Sequence, residues 1–236
     1  MSQPPILPSQ PRLLVLIAAL FTGALIVSNV IAVKIANFSG VSGPIDDYFL
    51  PAAVVVFPIS YILGDVLTEV YGYRTARRVI WSAFLANGLA VLAIVIAQEV
   101  PAAPFWQGQG AYESILGQTW RIAGGSFLAF LVGEFANSIV LARMKVATGG
   151  RFLWSRTISS TIVGEGLDSA IFITIAFAGR EGIDLWPLIW KQWLFKVAFE
   201  TVATPFTYAA VAALKRLEGI DTYDRGVDLN PLAVWD

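Results

Sequence analysis

Residues Phe57 to Arg78 read FPISYILGDVLTEVYGYRTARR. Most of this stretch is apolar enough to enter a bilayer, yet Asp65 and Glu69 lie near its end, and Arg74, Arg77 and Arg78 follow Gly72. A carboxylate at the centre of a membrane span costs about 2.5–3.5 kcal/mol on insertion scales, so two of them four residues apart need a reason. Spaced at i and i+4, they share one stripe of a helix, which must face other helices or a water-filled cavity. Depth separates them, because Asp65 lies about 6 Å further along the axis than Glu69 at the helical rise of 1.5 Å per residue. The deeper acid is expected to serve a buried role. The shallower one is expected to pair with Arg74, Arg77 or Arg78 at the membrane surface.

The rest of the chain extends this reading. Of its 236 residues, 56% are hydrophobic and 14% charged, against about 25% charged in soluble proteins. Apolar windows near the length of about 20 residues that crosses a hydrocarbon core recur along it. The expected fold is therefore an all-α membrane protein with six spans, near 13–34, 50–71, 78–98, 121–142, 157–178 and 186–213. Residues 1–12 and 214–236 form cytoplasmic tails, the second expected to be a loose appendage. The apolar run from Leu13 is too long for a signal-peptide core. With a net charge of −1, no basic excess points to nucleic acid. The absence of cysteine and histidine excludes disulfides, zinc sites and imidazole chemistry. No Walker-type glycine loop is present, so ATP hydrolysis would have to come from another polypeptide. No metal or cofactor is expected.

Orientation follows from basic residues. With both termini cytoplasmic, the inner segments hold Arg12, Arg74, Arg77, Arg78, Arg143, Lys145, Arg151, Arg156, Lys215, Arg216 and Arg225, eleven of the 16 Lys and Arg residues. Lys34, Arg121, Arg180, Lys191 and Lys196 remain for outer loops and spans, with Lys34 expected to snorkel to the outer headgroups. The outer segment from Glu99 to Trp120 is expected to be irregular, and its Phe105, Trp106, Tyr112 and Trp120 to form an interfacial belt.

Polar residues inside the other spans fall into clusters at helical spacing: Ser28, Asn29 and Lys34; Glu134, Asn137 and Ser138; Glu165, Asp168 and Ser169; and Lys191, Gln192, Lys196 and Glu200. Lys196 and Glu200, at i and i+4, could neutralise each other or meet a ligand. Asn29 could pack helices or contact a ligand. Ala19 with Gly23, and Gly124, Gly125, Gly164 and Gly166, are expected to let helices approach closely.

Taken in order, SNVIAVKI, FPISYILGDVLTEVYG, RIAGGSFLAFLVGEFANS, STIVGEGLDSAIF and LFKVAFETVATP resemble the queuosine precursor transporter family over about residues 25–210. That resemblance implies six helices arranged like the substrate-binding components of energy-coupling-factor vitamin transporters, and import of 7-deazaguanines such as preQ0 and preQ1 across a bacterial inner membrane. It places Asn29, Asp65, Glu134, Asn137, Glu165, Asp168 and Lys196 at motif positions as a substrate site. The chemistry agrees: a guanine-like edge offers N–H donors that a carboxylate accepts in a two-pronged bond, and an amide or lysine can meet its carbonyl. Phe127, Trp193 and Phe195 are candidates for an aromatic slot. The expected partners are a purine-like small molecule, the lipid membrane and, as an option, further copies of the chain.

Two other functions fit the same residues. The chain could be the substrate-binding subunit of a transporter for another vitamin, driven by a separate ATPase that docks on the Ala19–Gly23 face. It could also be an intramembrane hydrolase in which Asp65 and Asp168 share a proton, although GLDS departs from the GxGD pattern of membrane aspartyl proteases. The expectation is a carrier without catalytic activity.

Overall fold

The computed structural model describes residues 11–37, 49–117, 120–179 and 184–234, with the side chains of Ile35, Phe49, Leu50, Trp120 and Arg121 not described. Arg180, the segment before residue 11, and the roles expected for the Trp120 and Arg121 side chains lie outside that description. The chain runs through α1 (Leu14–Ile31), a small antiparallel hairpin of β1 (Ile35–Asn37) and β2 (Phe49–Pro51), and α2 (Phe57–Val66). It continues through α3 (Tyr73–Glu99), α4 (Gln109–Leu116), α5 (Trp120–Ala147), α6 (Leu153–Phe177) and α7 (Leu185–Glu218).

Five of these helices, α1, α3, α5, α6 and α7, are long and apolar enough to cross a membrane. The expected second span is the exception. Its residues 50–56 are a strand end and a 3₁₀ turn over Ala52–Val55, and α2 begins only at Phe57 with Pro58 in its first turn. Proline donates no backbone hydrogen bond, so Pro51 and Pro58 suit a strand end and a helix start but not a helix interior. The last turn of α2 then widens into a π-helical segment, Leu67–Tyr71, before Gly72 turns the chain at φ +84°. A Cβ at Gly72 would lie 2.6 Å from Thr222 Cγ2, so glycine meets both the backbone requirement and a close approach of the C-terminal segment. The segment expected to be irregular after Glu99 contains α4, where Gln109 donates to Glu113 at 2.8 Å, an i,i+4 pair that supports a short helix. Phe105 and Trp106 are exposed there, as an interfacial belt requires.

Polarity is distributed as a bilayer demands. Val15, Leu16 and Leu20 of α1, Leu85, Leu89 and Leu92 of α3, and Val202 and Phe206 of α7 face outward, while twenty polar or charged residues among the described ones are buried. The most extensive helix pairing is α5 against α6, and Gly133 and Gly164 explain it. A Cβ on Gly133 would meet the Gly164 carbonyl at 2.9 Å, and one on Gly164 would meet the Gly133 carbonyl at 2.7 Å. The two backbones touch at that point. Gly125 likewise packs on Ile175, whereas nothing lies within 4 Å of a Cβ built on Gly124 or Gly23, so the Ala19–Gly23 pair faces out of the molecule.

The chain end is not a loose appendage. Residues 219–234 fold back across one end of the helices: Asp224 accepts from the Tyr73 N–H with both carboxylate oxygens at 3.0 Å. Arg77 donates to the carbonyls of Asp228 and Asn230, and the Trp81 indole donates to the Pro231 carbonyl at 2.8 Å. The same end holds the start of α1, where the backbone N–H groups of Arg12 and Leu13 donate to the Glu218 carboxylate. A charged segment without apolar periodicity reads as solvated in sequence, but here its backbone carbonyls satisfy buried cations.

Candidate functional site

Asp65 is 1% exposed on α2, and its Oδ1 accepts from Asn137 Nδ2 of α5 at 2.7 Å. One residue earlier, Gly64 leaves the room that Glu134 Oε1 occupies, so a side chain at 64 would displace that carboxylate. The glycine contact between α5 and α6 then brings Gly133 against Asp168 and Gly164 against Asn137. From the facing α7, the Lys196 ammonium donates to Glu165 at 2.7 Å and to Asp168. Four helices thus place Asp65, Glu134, Asn137, Glu165, Asp168 and Lys196 in one buried neighbourhood. Lys196 does not neutralise Glu200 on its own helix, as the i,i+4 spacing allowed, because α6 presents two acids to it.

A cavity adjoins this cluster. Its polar lining includes Asn29, Ser126, Asp168, Gln192, Lys196 and Glu200, and its aromatic walls are Phe57, Tyr61, Phe172, Phe195 and Phe199. The Lys196 ammonium lies 5.8 Å from the Phe57 ring centroid and 5.5 Å from that of Tyr61. Asn29 accepts from Ser126 at 2.9 Å and donates to Asn87 at 3.2 Å. It lines both this cavity and a second one, whose lining includes Asn87, Gln98 and Phe127 and no charged residue. Of the three aromatics anticipated as a slot, Phe195 lines the first cavity and Phe127 the second. Trp193 is turned away, its indole donating to the Ile162 carbonyl at 3.0 Å.

Several acceptors in this region have no hydrogen-bond partner among the described residues: Asp65 Oδ2, Glu134 Oε1, Asn137 Oδ1 and Glu200 Oε1. Unsatisfied buried acceptors are costly, and a cluster of them is suited to receive a donor-rich ligand. Asp65 and Asp168 have different partners, an amide and an ammonium, rather than each other.

Glu69, one turn from Asp65, is placed quite differently. It is fully buried and takes a two-pronged bond from Arg156 of α6 at 2.9 and 2.8 Å, a third from Lys215 of α7 at 2.8 Å, with Lys145 of α5 at 3.5 Å. Asp221 of the C-terminal segment bridges Lys145 and Lys215 at 2.6 and 2.8 Å. The pairing expected with Arg74, Arg77 or Arg78 is therefore replaced. Arg77 and Arg78 hold carbonyls of the C-terminal segment instead, and Glu69 points into the bundle, where cations from three other helices are nearer. Partial burial works against ionisation of the exposed-side acid Asp221, yet hydrogen bonds from Lys145 and Lys215 hold its carboxyl below the usual carboxylate range.

Sequence reasoning did not select Tyr61, Ser126 or Glu200 for the site. Glu200 carried a signal as an ionisable residue in a span. Tyr61 and Ser126 carried none, since a lone tyrosine or serine in an apolar run is ordinary.

The model of the family described as "Putative vitamin uptake transporter" matches residues 51–210. A protein of Bacillus subtilis named "Probable queuosine precursor transporter" is 29% identical over 79% of this chain and 80% of its own length. The "Queuosine precursor transporter" of Escherichia coli is 28% identical over 51% of this chain and 52% of its own. A "Probable queuosine precursor transporter" of Haemophilus influenzae is 25% identical over 52% and 50%. No solved structure matches. The matched region runs from β2 into α7 and contains every residue of the acidic cluster.

Proposed function

This chain belongs to the vitamin uptake transporter family, and from that premise we propose that it imports queuosine precursors, 7-deazaguanines such as preQ0 and preQ1, across a bacterial cytoplasmic membrane. The observation that carries this reading is the aromatic-walled cavity beside buried carboxylates whose oxygens lack donors. A guanine-like edge supplies N–H groups to such oxygens, and a flat ring suits the walls formed by Phe57, Phe172, Phe195 and Phe199. Asp168 and Lys196 line the cavity and would meet the ring directly, while Asp65, Asn137 and Glu134 lie outside its lining and would reach the donor edge only from behind it, with Glu165 holding Lys196 in place. Asn29 would close the side of the site next to the second cavity.

In this reading α2, with the turn before it, completes a sixth crossing, and the helices are arranged like an energy-coupling-factor substrate-binding component. The end that carries the Glu69 cluster and the C-terminal segment faces the cytoplasm, in keeping with the excess of Lys and Arg there. Titration calorimetry of the purified protein against preQ0, preQ1, queuine, guanine, riboflavin and biotin tests the ligand. Binding of a 7-deazaguanine at least about tenfold tighter than riboflavin or biotin is the expected result, and a preference for either vitamin sinks the proposal.

A second reading, a binding subunit that depends on a separate ATPase, gains from the exposed Ala19 and Gly23, since no described residue lies within 4 Å of a Cβ built on Gly23. Liposomes containing this chain alone separate the two. Uptake without a partner supports the autonomous carrier, and uptake only after an ATPase is added supports the subunit.

A further inference from the structure

Three side chains of the Asp, Glu and Lys type line the aromatic cavity: Asp168, Lys196 and Glu200. Two of them engage each other, since Lys196 is bound to Asp168 and also to Glu165. Glu200 is different. It lies one turn beyond Lys196 on α7, is 2% exposed, and its Oε1 has no hydrogen-bond partner among the described residues. The Thr204 hydroxyl one turn on is already committed to the Glu200 backbone carbonyl at 2.8 Å. The side chain therefore brings an open acceptor to a cavity whose other charges are matched.

The wider charge balance gives this acceptor a chemical preference. Lys196 pairs with Glu165 and Asp168, three further acids, Asp65, Glu134 and Glu200, each keep an oxygen without a partner among the described residues, and the buried cations Arg77, Lys145 and Arg156 engage the C-terminal segment or the Glu69 cluster. A region with this excess of carboxylates favours a cationic ligand over a neutral one of the same shape. Aromatic rings alongside add to the preference, because their faces attract ammonium groups. A charge-assisted bond from an ammonium to Glu200 is also about twice as strong as one between neutral partners.

We infer that Glu200 is a specificity-determining residue that receives a primary ammonium carried by a flat heteroaromatic ligand, so that the site prefers an aminomethyl-bearing ring to its nitrile counterpart. The inference rests on the reading of this cavity as a 7-deazaguanine site. In that case the two natural probes differ at one substituent: 7-aminomethyl-7-deazaguanine (preQ1) is cationic at neutral pH and 7-cyano-7-deazaguanine (preQ0) is not.

Both ligands are titrated into the wild-type protein and into Glu200→Gln and Glu200→Asp in detergent, with thermal unfolding recorded for each variant. Wild type is expected to bind the aminomethyl ligand at least about tenfold more tightly than the nitrile. Glu200→Gln, which keeps the shape and removes the charge, is expected to abolish that preference by weakening the aminomethyl ligand alone. Glu200→Asp is expected to retain part of it. A Glu200→Gln variant that weakens both ligands alike, or keeps the wild-type preference, overturns the role of Glu200 while leaving the 7-deazaguanine site intact. Wild-type protein that binds neither ligand overturns both readings together.

Discussion

Asp65 and Glu69 are one turn apart on the same helix, both almost wholly buried, and their surroundings are opposite. Glu69 meets three cations from three helices, and Asp221 closes the group from the C-terminal segment. Asp65 meets an amide and, among the described residues, keeps one oxygen without a partner and shares its region with four further acids and one lysine. Matched charge with good geometry holds helices in one arrangement, although its net contribution is limited by desolvation. Unmatched acceptors contribute nothing to holding the bundle together, and are retained where something else binds them. The difference separates an end whose charges are matched from a middle whose acceptors stay open, which is what the proposed binding site needs.

Removing Glu69 should produce the largest effect. Glu69→Ala leaves Arg156, Lys145 and Lys215 facing one another with Asp221 as the remaining carboxylate of the group, and loss of one partner from a buried ionic cluster costs about 3–5 kcal/mol. Thermal or denaturant unfolding in detergent should register this as a large fall in stability. A cost below about 1 kcal/mol would mean that the cluster is solvated and does not lock its end of the bundle.

Asp65→Asn should do the reverse. Stability should hold or rise, because a buried acid without a cation is replaced by a neutral amide of the same shape. If the proposed 7-deazaguanine is the ligand, its binding should weaken at least about tenfold through loss of a charge-assisted acceptor. Should Asp65→Asn unfold the protein as readily as Glu69→Ala while binding is retained, the two acids would have the same role and the contrast would fail.

Much of this contrast was legible in the sequence, and the part that was not has physical causes. The depth difference between Asp65 and Glu69 follows from helical rise alone, and the structure gives the two acids different partners. The partners of Glu69 did not follow, because Arg74, Arg77 and Arg78 are near in sequence while Arg156 and Lys215 become near only through packing. The same cause hid the partners of Lys196, where two acids of α6 displaced the i+4 neighbour Glu200. The five long helices lie close to the windows read from hydropathy, since length and apolarity fix them locally. The start of α2 was misplaced by seven residues because Pro51 and Pro58 outweigh the apolarity of the valines between them. The docked C-terminal segment left no periodic signal, as its contacts are made by backbone carbonyls that any sequence carries.

The smallest expected effect tests how far the lock depends on that segment. Asp221 has a carboxyl held below its ordinary range by Lys145 and Lys215. A depressed carboxyl stabilises the fold above its unfolded pKa, near 4, and that contribution disappears as pH falls through the lower folded value. Wild type should therefore unfold at a higher temperature than Asp221→Asn near neutral pH, and the gap should close as pH drops below about 4. Burial raises the carboxyl of Asp224 in the same segment despite its bond from the Tyr73 N–H, and its titration runs the other way, but it is common to both proteins and cancels in the difference. The gap itself should be modest, because the Asp221 side chain is 42% exposed and solvent screens its pairs. A gap that persists unchanged below pH 3 would show that Asp221 acts through its shape rather than its charge, and would confine the electrostatic lock to Glu69 and its three cations.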